Sequence, residues 1–176
     1  MADLGAAELD KLFCMNAKKF KVKKLLLKAI AEVESGMNQK AYRFEPGFWN
    51  KYLKDNPEWK DKDPAIVSAS HGLLQIMWTT AWSLGFRGTT GEELEDPATN
   101  IMLEAKLIRS LIDKVRAKGV CQNNGLWEIE VATALYNGGS RDNPDASGKL
   151  RNQRYVDRVM DAYWALRKKE RECDEA

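Results

Sequence analysis

The 176 residues suit one domain, and with 44% of them hydrophobic the chain can bury a substantial core. Charged residues make up 31% but nearly cancel, and a formal net charge of +2 gives no basic footprint for nucleic acid. The longest apolar stretches fall far short of a membrane span.

Residues 6–18 and 22–34 both read as helix. In the second, Val22, Leu25, Leu26, Ala29, Ile30 and Val33 recur at i, i+3, i+4, i+7 spacing and mark one buried face. Ser35 and Gly36 follow at once, and glycine is a common helix stop, so Glu34 ends an apolar helix. Residues 37–71 look irregular, with Pro46, Pro57 and Pro64, and only Phe48, Trp49, Tyr52 and Leu53 suggest one short helix. A long loop inside a small domain is often functional.

From Gly72 an apolar run follows through Leu73, Leu74, Ile76 and Met77, and residues 78–84 make one or two helical turns ended by Gly85. Asp96-Pro97 is a strong helix start, an N-cap residue with proline at the first helical position. Ile101, Ala105, Ile108, Leu111, Ile112 and Val115 then keep one face apolar up to Gly119. Helices are also predicted from Trp127 to Leu135 and from Tyr155 to Leu166, with a polar loop over 140–149 between them and a charged tail after Arg167. No strand and no internal repeat stands out, so the class is all-α.

Cys14, Cys121 and Cys173 lie far apart without CxxC spacing, and His71 is the one histidine. Neither a zinc site nor a disulfide framework is expected, and the thiols read as reduced. Met1 to Asp10 carries acids and no long apolar segment, so no signal peptide is visible.

Three segments are unusual for plain packing: Glu32-Val33-Glu34-Ser35-Gly36, Ser70-His71-Gly72-Leu73-Leu74-Gln75-Ile76-Met77 and Ala134-Leu135-Tyr136-Asn137-Gly138-Gly139. In that order, with a long helix between the second and third, they resemble the soluble lytic transglycosylases, which share a lysozyme-like fold with goose-type lysozymes. Arg154-Tyr155-Val156 is similar to a fourth element of that family. The segment Arg43-Phe44-Glu45-Pro46-Gly47-Phe48 is like the version in phage-associated and related bacterial members. The likeness covers a core of about residues 22–166 within a single domain of 1–176. Leu74 stands where methionine is usual, Trp78 where proline is common, and Gly138 where alanine is more common.

The resemblance implies a peptidoglycan lytic transglycosylase with Glu34 as the catalytic acid. A proton must reach the leaving oxygen, and a carboxyl at the end of an apolar helix is held protonated by desolvation and by the helix C-terminus. The family uses no second carboxylate: the substrate's N-acetyl group stabilises the cation, and Glu34 then acts as base on the muramic acid C6 hydroxyl, giving a 1,6-anhydro sugar.

The same resemblance puts Gln75 against the sugar N-acetyl group, Met77 on the cleft wall, and the Tyr136 and Tyr155 hydroxyls near the scissile bond and Glu34. For each the plain alternative is packing or a turn amide. Ser35 is expected to support the acid, and Asn137 to hold the turn with Gly138. Glu32 points about 200° away from Glu34 and reads as solvated. Glu45 sits in a loop expected to border the cleft, and from the far side of the sugar it would turn the reaction into hydrolysis. His71 reads as a loop residue beside the cleft. Trp49, Trp59, Trp78 and Trp82 are either sugar-stacking or core residues.

The expected partner is the peptidoglycan glycan strand, met by a monomer with no cofactor, no metal, no nucleic acid and no membrane span. Action on the cell wall, in the periplasm or outside, requires delivery by phage, by a secretion system or by a leader since removed. The alternatives are a goose-type muramidase and a non-catalytic glycan-binding phage module.

Overall fold

The computed structural model describes residues 3–121, 127–138 and 149–170. In chain order it begins with α1 (Ala6–Phe20) and α2 (Lys24–Ser35). A small region follows: β1 (Tyr42–Phe44), α3 (Pro46–Phe48) running into a π-helical turn (Trp49–Leu53), α4 (Pro64–Val67), β2 (Ala69–His71), β3 (Ile76–Met77), α5 (Trp78–Ser83) and α6 (Gly91–Glu95). The long α7 (Pro97–Lys118), α8 (Glu128–Gly138) and α9 (Gln153–Arg167) complete it. The all-α class holds, and among the described residues no helix is long and apolar enough to cross a membrane. The polar loop expected over 140–149 falls almost wholly outside the described residues.

The main core is helical. Packing of α2 on α9, and of α7 on α1 and α8, encloses Phe13, Leu26, Ile30, Ile108, Ala132 and Val159. On α2 alone Leu25, Leu26, Leu27 and Ile30 are fully buried. Each such side chain contributes about 1.5–3 kcal/mol by leaving water, so α2 is pinned along its length and the position of its last turn is fixed. Gly36 ends it at φ 61 with its N–H returned to Ala31 and Glu32 carbonyls. The left-handed geometry is the reason for glycine there. α7 starts and stops as its sequence signals: Asp96 Oδ2 accepts the Thr99 N–H at 2.9 Å, Pro97 is the first helical residue, and Gly119 closes the helix at φ 63.

The stretch from 37 to 71 is less irregular than expected, and it corrects the expectation of no strands. β1, β2 and β3 form an antiparallel sheet in that order, with Tyr42 opposite His71, Phe44 opposite Ala69 and Ser70 opposite Met77. Strands of two or three residues are too short to show alternation, so the sequence carries no periodic trace of them. Beside the sheet lies a second apolar cluster built on Leu53, Trp59, Val67, Ile76, Trp78 and Leu94. Trp59 and Trp78 are therefore core residues.

Two further expectations change. His71 is buried, at 2% exposure, between the Tyr42 and Trp78 rings at 5.4 and 6.3 Å. Side chains alternate along a strand, so as Ser70 faces the cleft its neighbour His71 faces the second core. Cys14 is disulfide-bonded and Cys121 is a free thiol, so the three cysteines are not all reduced.

Candidate active site

A cleft of about 460 Å³ opens between the end of α2, the sheet, the middle of α7 and the end of α8. Glu34, Gln75, Met77, Tyr136, Asn137 and Glu45, all singled out in the sequence, line it. Tyr155 reaches the same place from α9 through its contact with Glu34. Ser35 supports from behind. None of the four tryptophans considered as sugar-stacking lines the cleft, whose aromatic wall comes from Phe48 and Tyr52.

Glu34 is half-buried and accepts a hydrogen bond from the Tyr155 hydroxyl at 2.6 Å on Oε1. Burial pushes its carboxyl above the usual glutamate range, while the Tyr155 hydrogen bond and the Arg43 and Arg158 charges pull the other way. Glu32, two residues earlier, is exposed, as its position on the helix implies. The Tyr155 hydroxyl is in turn held protonated by burial and by the adjacent Glu34 charge.

Behind Glu34 lies the turn Gly72–Gln75. The Ser35 hydroxyl is 2.7 Å from the Leu73 carbonyl oxygen, which ties the residue beside Glu34 to that turn. Gln75 adopts φ 52, and its side-chain amide donates at 3.0 Å to both the Ala41 and Gly72 carbonyls. Its two N–H hydrogens thus serve the turn, and its oxygen is the atom left to meet a ligand. Gly72 sits at φ 74 with the Asn100 amide so close that a Cβ would lie 2.5 Å from Nδ2. Met77 forms cleft wall, with its sulfur accepting from the Ser70 hydroxyl at 3.1 Å.

From the other side, the Tyr136 hydroxyl contacts the Leu74 carbonyl oxygen and Glu104 Oε1, the latter at 3.2 Å. Asn137 Oδ1 accepts from Asn152 Nδ2 at 3.1 Å, and the same amide group reaches the Ala134 carbonyl at 3.0 Å, linking the end of α8 to the start of α9. Glu45 lies at the rim in an ion pair with Arg43, Nε to Oε1 2.6 Å. Its backbone is fixed by the Ser68 carbonyl, which accepts its N–H at 2.8 Å.

Two contributors were missed in the sequence. Asn100 and Glu104 of α7 are both fully buried. Asn100 Oδ1 accepts the Leu74 N–H at 2.9 Å while Nδ2 donates to the His71 and Leu94 carbonyls. Both residues fall on the stripe set by Ile101, Ala105 and Ile108, and a polar residue on an apolar stripe was the available signal.

Three carboxyls therefore border one cleft in three different states. Glu45 is neutralised by an arginine, Glu104 is sealed in, and Glu34 is partly buried with a hydroxyl donor. A carboxyl with partial burial and a hydroxyl donor has the chemistry to both hold and release a proton.

The chain matches the family described as Transglycosylase SLT domain over residues 11–156, a span that holds every residue of this cleft. No curated protein matches it.

Proposed function

The chain belongs to the Transglycosylase SLT domain family of lytic transglycosylases acting on peptidoglycan, and on that premise we propose that Glu34 serves as both acid and base in cutting the glycan strand. The bond cleaved is the β-1,4 link from N-acetylmuramic acid to N-acetylglucosamine. Protonated Glu34 gives its proton to the glycosidic oxygen as the C1–O bond breaks. The substrate's own acetamido oxygen supports the positive charge at C1. The resulting Glu34 carboxylate takes the proton of the muramic acid C6 hydroxyl, O6 bonds to C1, and a 1,6-anhydro end leaves with the acid restored. No water enters the balance.

The observation that carries this reading is the Glu34–Tyr155 pair in the cleft: burial favours the protonated acid, and the Tyr155 donor favours the carboxylate that follows. One group with both supports can alternate between the two roles. Gln75 and Met77 would line the sugar's acetamido side, and Tyr136 the opposite wall.

A hydrolytic, muramidase-type reading draws on Glu45, a second carboxylate bordering the same cleft. Its ion pair with Arg43 argues against it as a free base for water. The site of action is the cell wall, and a disulfide at Cys14 suits an oxidising location there.

The test is release of soluble fragments from purified peptidoglycan by wild type and Glu34→Gln. Loss of at least about 1,000-fold in the variant, with unchanged circular dichroism, is the expected outcome, since general acid and base roles contribute about 10²–10⁴ each. A variant that keeps its activity removes Glu34 from the chemistry.

A further inference from the structure

The fully buried Glu104 takes no part in the steps above, yet it borders the cleft. Its surroundings carry a constraint in the count of hydrogens. The Tyr136 hydroxyl touches two oxygens, the Leu74 carbonyl and Glu104 Oε1, but has one hydrogen. The carbonyl has no hydrogen to offer. With one hydrogen between them, both contacts are full two-centre hydrogen bonds only when Glu104 itself carries a proton on Oε1 and donates it to the Tyr136 oxygen. Among the described residues Glu104 Oε2 is buried with no hydrogen-bond partner. As the carbonyl oxygen of a neutral acid that is a modest cost, whereas half of an ionised carboxylate there is a large one.

We propose that Glu104 is a positioning residue that works as a neutral acid: its proton runs a chain from Glu104 through the Tyr136 hydroxyl to the Leu74 carbonyl, and so holds the turn on which Glu34 is set. The rest of that chain is on the same turn. Leu74 follows Leu73, whose carbonyl oxygen meets the Ser35 hydroxyl, and Ser35 is bonded to Glu34. Asn100, one helical turn before Glu104 on α7, holds the Leu74 N–H of the same peptide segment. Two buried polar side chains of one helix thus clamp one turn, directly and through a tyrosine.

The titratable groups facing Glu104 are Tyr136 on α8, and Glu34 on α2 with Tyr155 on α9. Arg43 and Glu45 line the same cleft from the sheet side. Burial raises the proton affinity of Glu104; a hydrogen bond donated by Tyr136 would lower it, a cost that disappears once Glu104 is the donor, and the Glu34 charge raises it further. When Glu34 becomes a carboxylate in the cycle, Glu104 therefore keeps its proton, and the floor of the cleft adds no second charge.

The assignment rests on Glu34 as the reacting acid, but its test is separable. Carboxyl NMR of isotope-labelled glutamate follows each side chain from about pH 5 to about pH 8 without substrate, with Glu104 assigned by its loss in Glu104→Gln. The expected resonance stays at the protonated position throughout. In parallel, kcat is measured as total glycan cleavage, whatever the chemistry of the ends, for Glu104→Gln and Glu104→Met. The amide keeps a donor for Tyr136, so kcat is expected within about threefold of wild type, whereas methionine removes it and lowers kcat about 10- to 100-fold with a smaller change in KM. A Glu104 ionised at neutral pH overturns the proposal, as does a glutamine variant no better than methionine. Should the methionine variant not fold, the titration decides together with the glutamine variant, for which a loss beyond about tenfold overturns the proposal. Hydrolytic products, or an active Glu34→Gln, count against the reading of Glu34 and leave the Glu104 titration as it was.

Discussion

The Tyr155 hydroxyl donates to Glu34 Oε1 at 2.6 Å, joining the first turn of α9 to the last turn of α2. The two helices are packed along each other, so the pair is set by the core and not by a loop. The hydrogen bond lowers the proton affinity of Glu34 while burial raises it. Tyr155→Phe removes the lowering contribution alone. Glu34 then stays protonated to higher pH, and the alkaline limb of the rate profile moves upward. The carboxylate needed for the second step loses its donor, so kcat falls about tenfold. An alkaline limb that stays in place or moves down contradicts the assignment of that bond.

Gly72 has no room for a side chain. At φ 74 a Cβ meets Asn100 Nδ2 at 2.5 Å and the Leu94 carbonyl oxygen at 2.9 Å. Gly72→Ala is expected to cost about 2–4 kcal/mol in urea denaturation, through backbone strain and the displaced Asn100 clamp. A loss below about 1 kcal/mol shows that the turn can relax.

The buried Glu104 makes stability depend on pH in a definite direction. In the unfolded chain it ionises near 4.5, while in the folded state its proton is held well above that. The stability is fully present below the unfolded value. It declines as pH rises from there toward the folded value, because only the unfolded state releases the proton. The decline amounts to about 1.4 kcal/mol for each pH unit. Glu104→Gln cannot ionise, so the difference in unfolding free energy between variant and wild type is expected to shift toward the variant between about pH 5 and about pH 7. A constant difference contradicts the raised proton affinity.

Glu45 stands at the rim with Arg43 and, among the described residues, is the carboxylate besides Glu34 and the buried Glu104 that lines the cleft. Glu45→Gln is expected to leave the chemical type of the product unchanged and to lower kcat by less than about tenfold. A loss of about 1,000-fold gives Glu45 a direct part in the reaction.

The helices were legible because each carries a 3.6-residue stripe with boundary residues: the Asp96 cap, Pro97 and Gly119 delimit α7 as they stand in the sequence. Glu34 was legible from its place at the end of such a stripe, and Tyr136 and Tyr155 from the order of the motifs. The sheet was not, since two or three residues leave no period to read. Nor was the direction of His71, which follows from the alternation along β2 and so needs the strand first. Asn100 and Glu104 escaped for a different reason: the apolar members of α7 define its buried face on their own, and the two polar residues that break that stripe carry a signal only when asked what they bond to. The turn at Gln75 adds another limit, because a left-handed conformation at a residue other than glycine has no local sequence signature. The disulfide at Cys14 carries no CxxC-type spacing that would have marked it.

The central claim is that Glu34 acts alone and that the sugar's own C6 hydroxyl closes the reaction. Mass spectrometry of the fragments released from purified peptidoglycan in heavy-oxygen water measures this directly. The expected muramic acid ends are lighter by one water than reducing ends, free of heavy oxygen, and absent from a Glu34→Gln digest. Reducing ends carrying heavy oxygen, formed from the first turnover, contradict the claim.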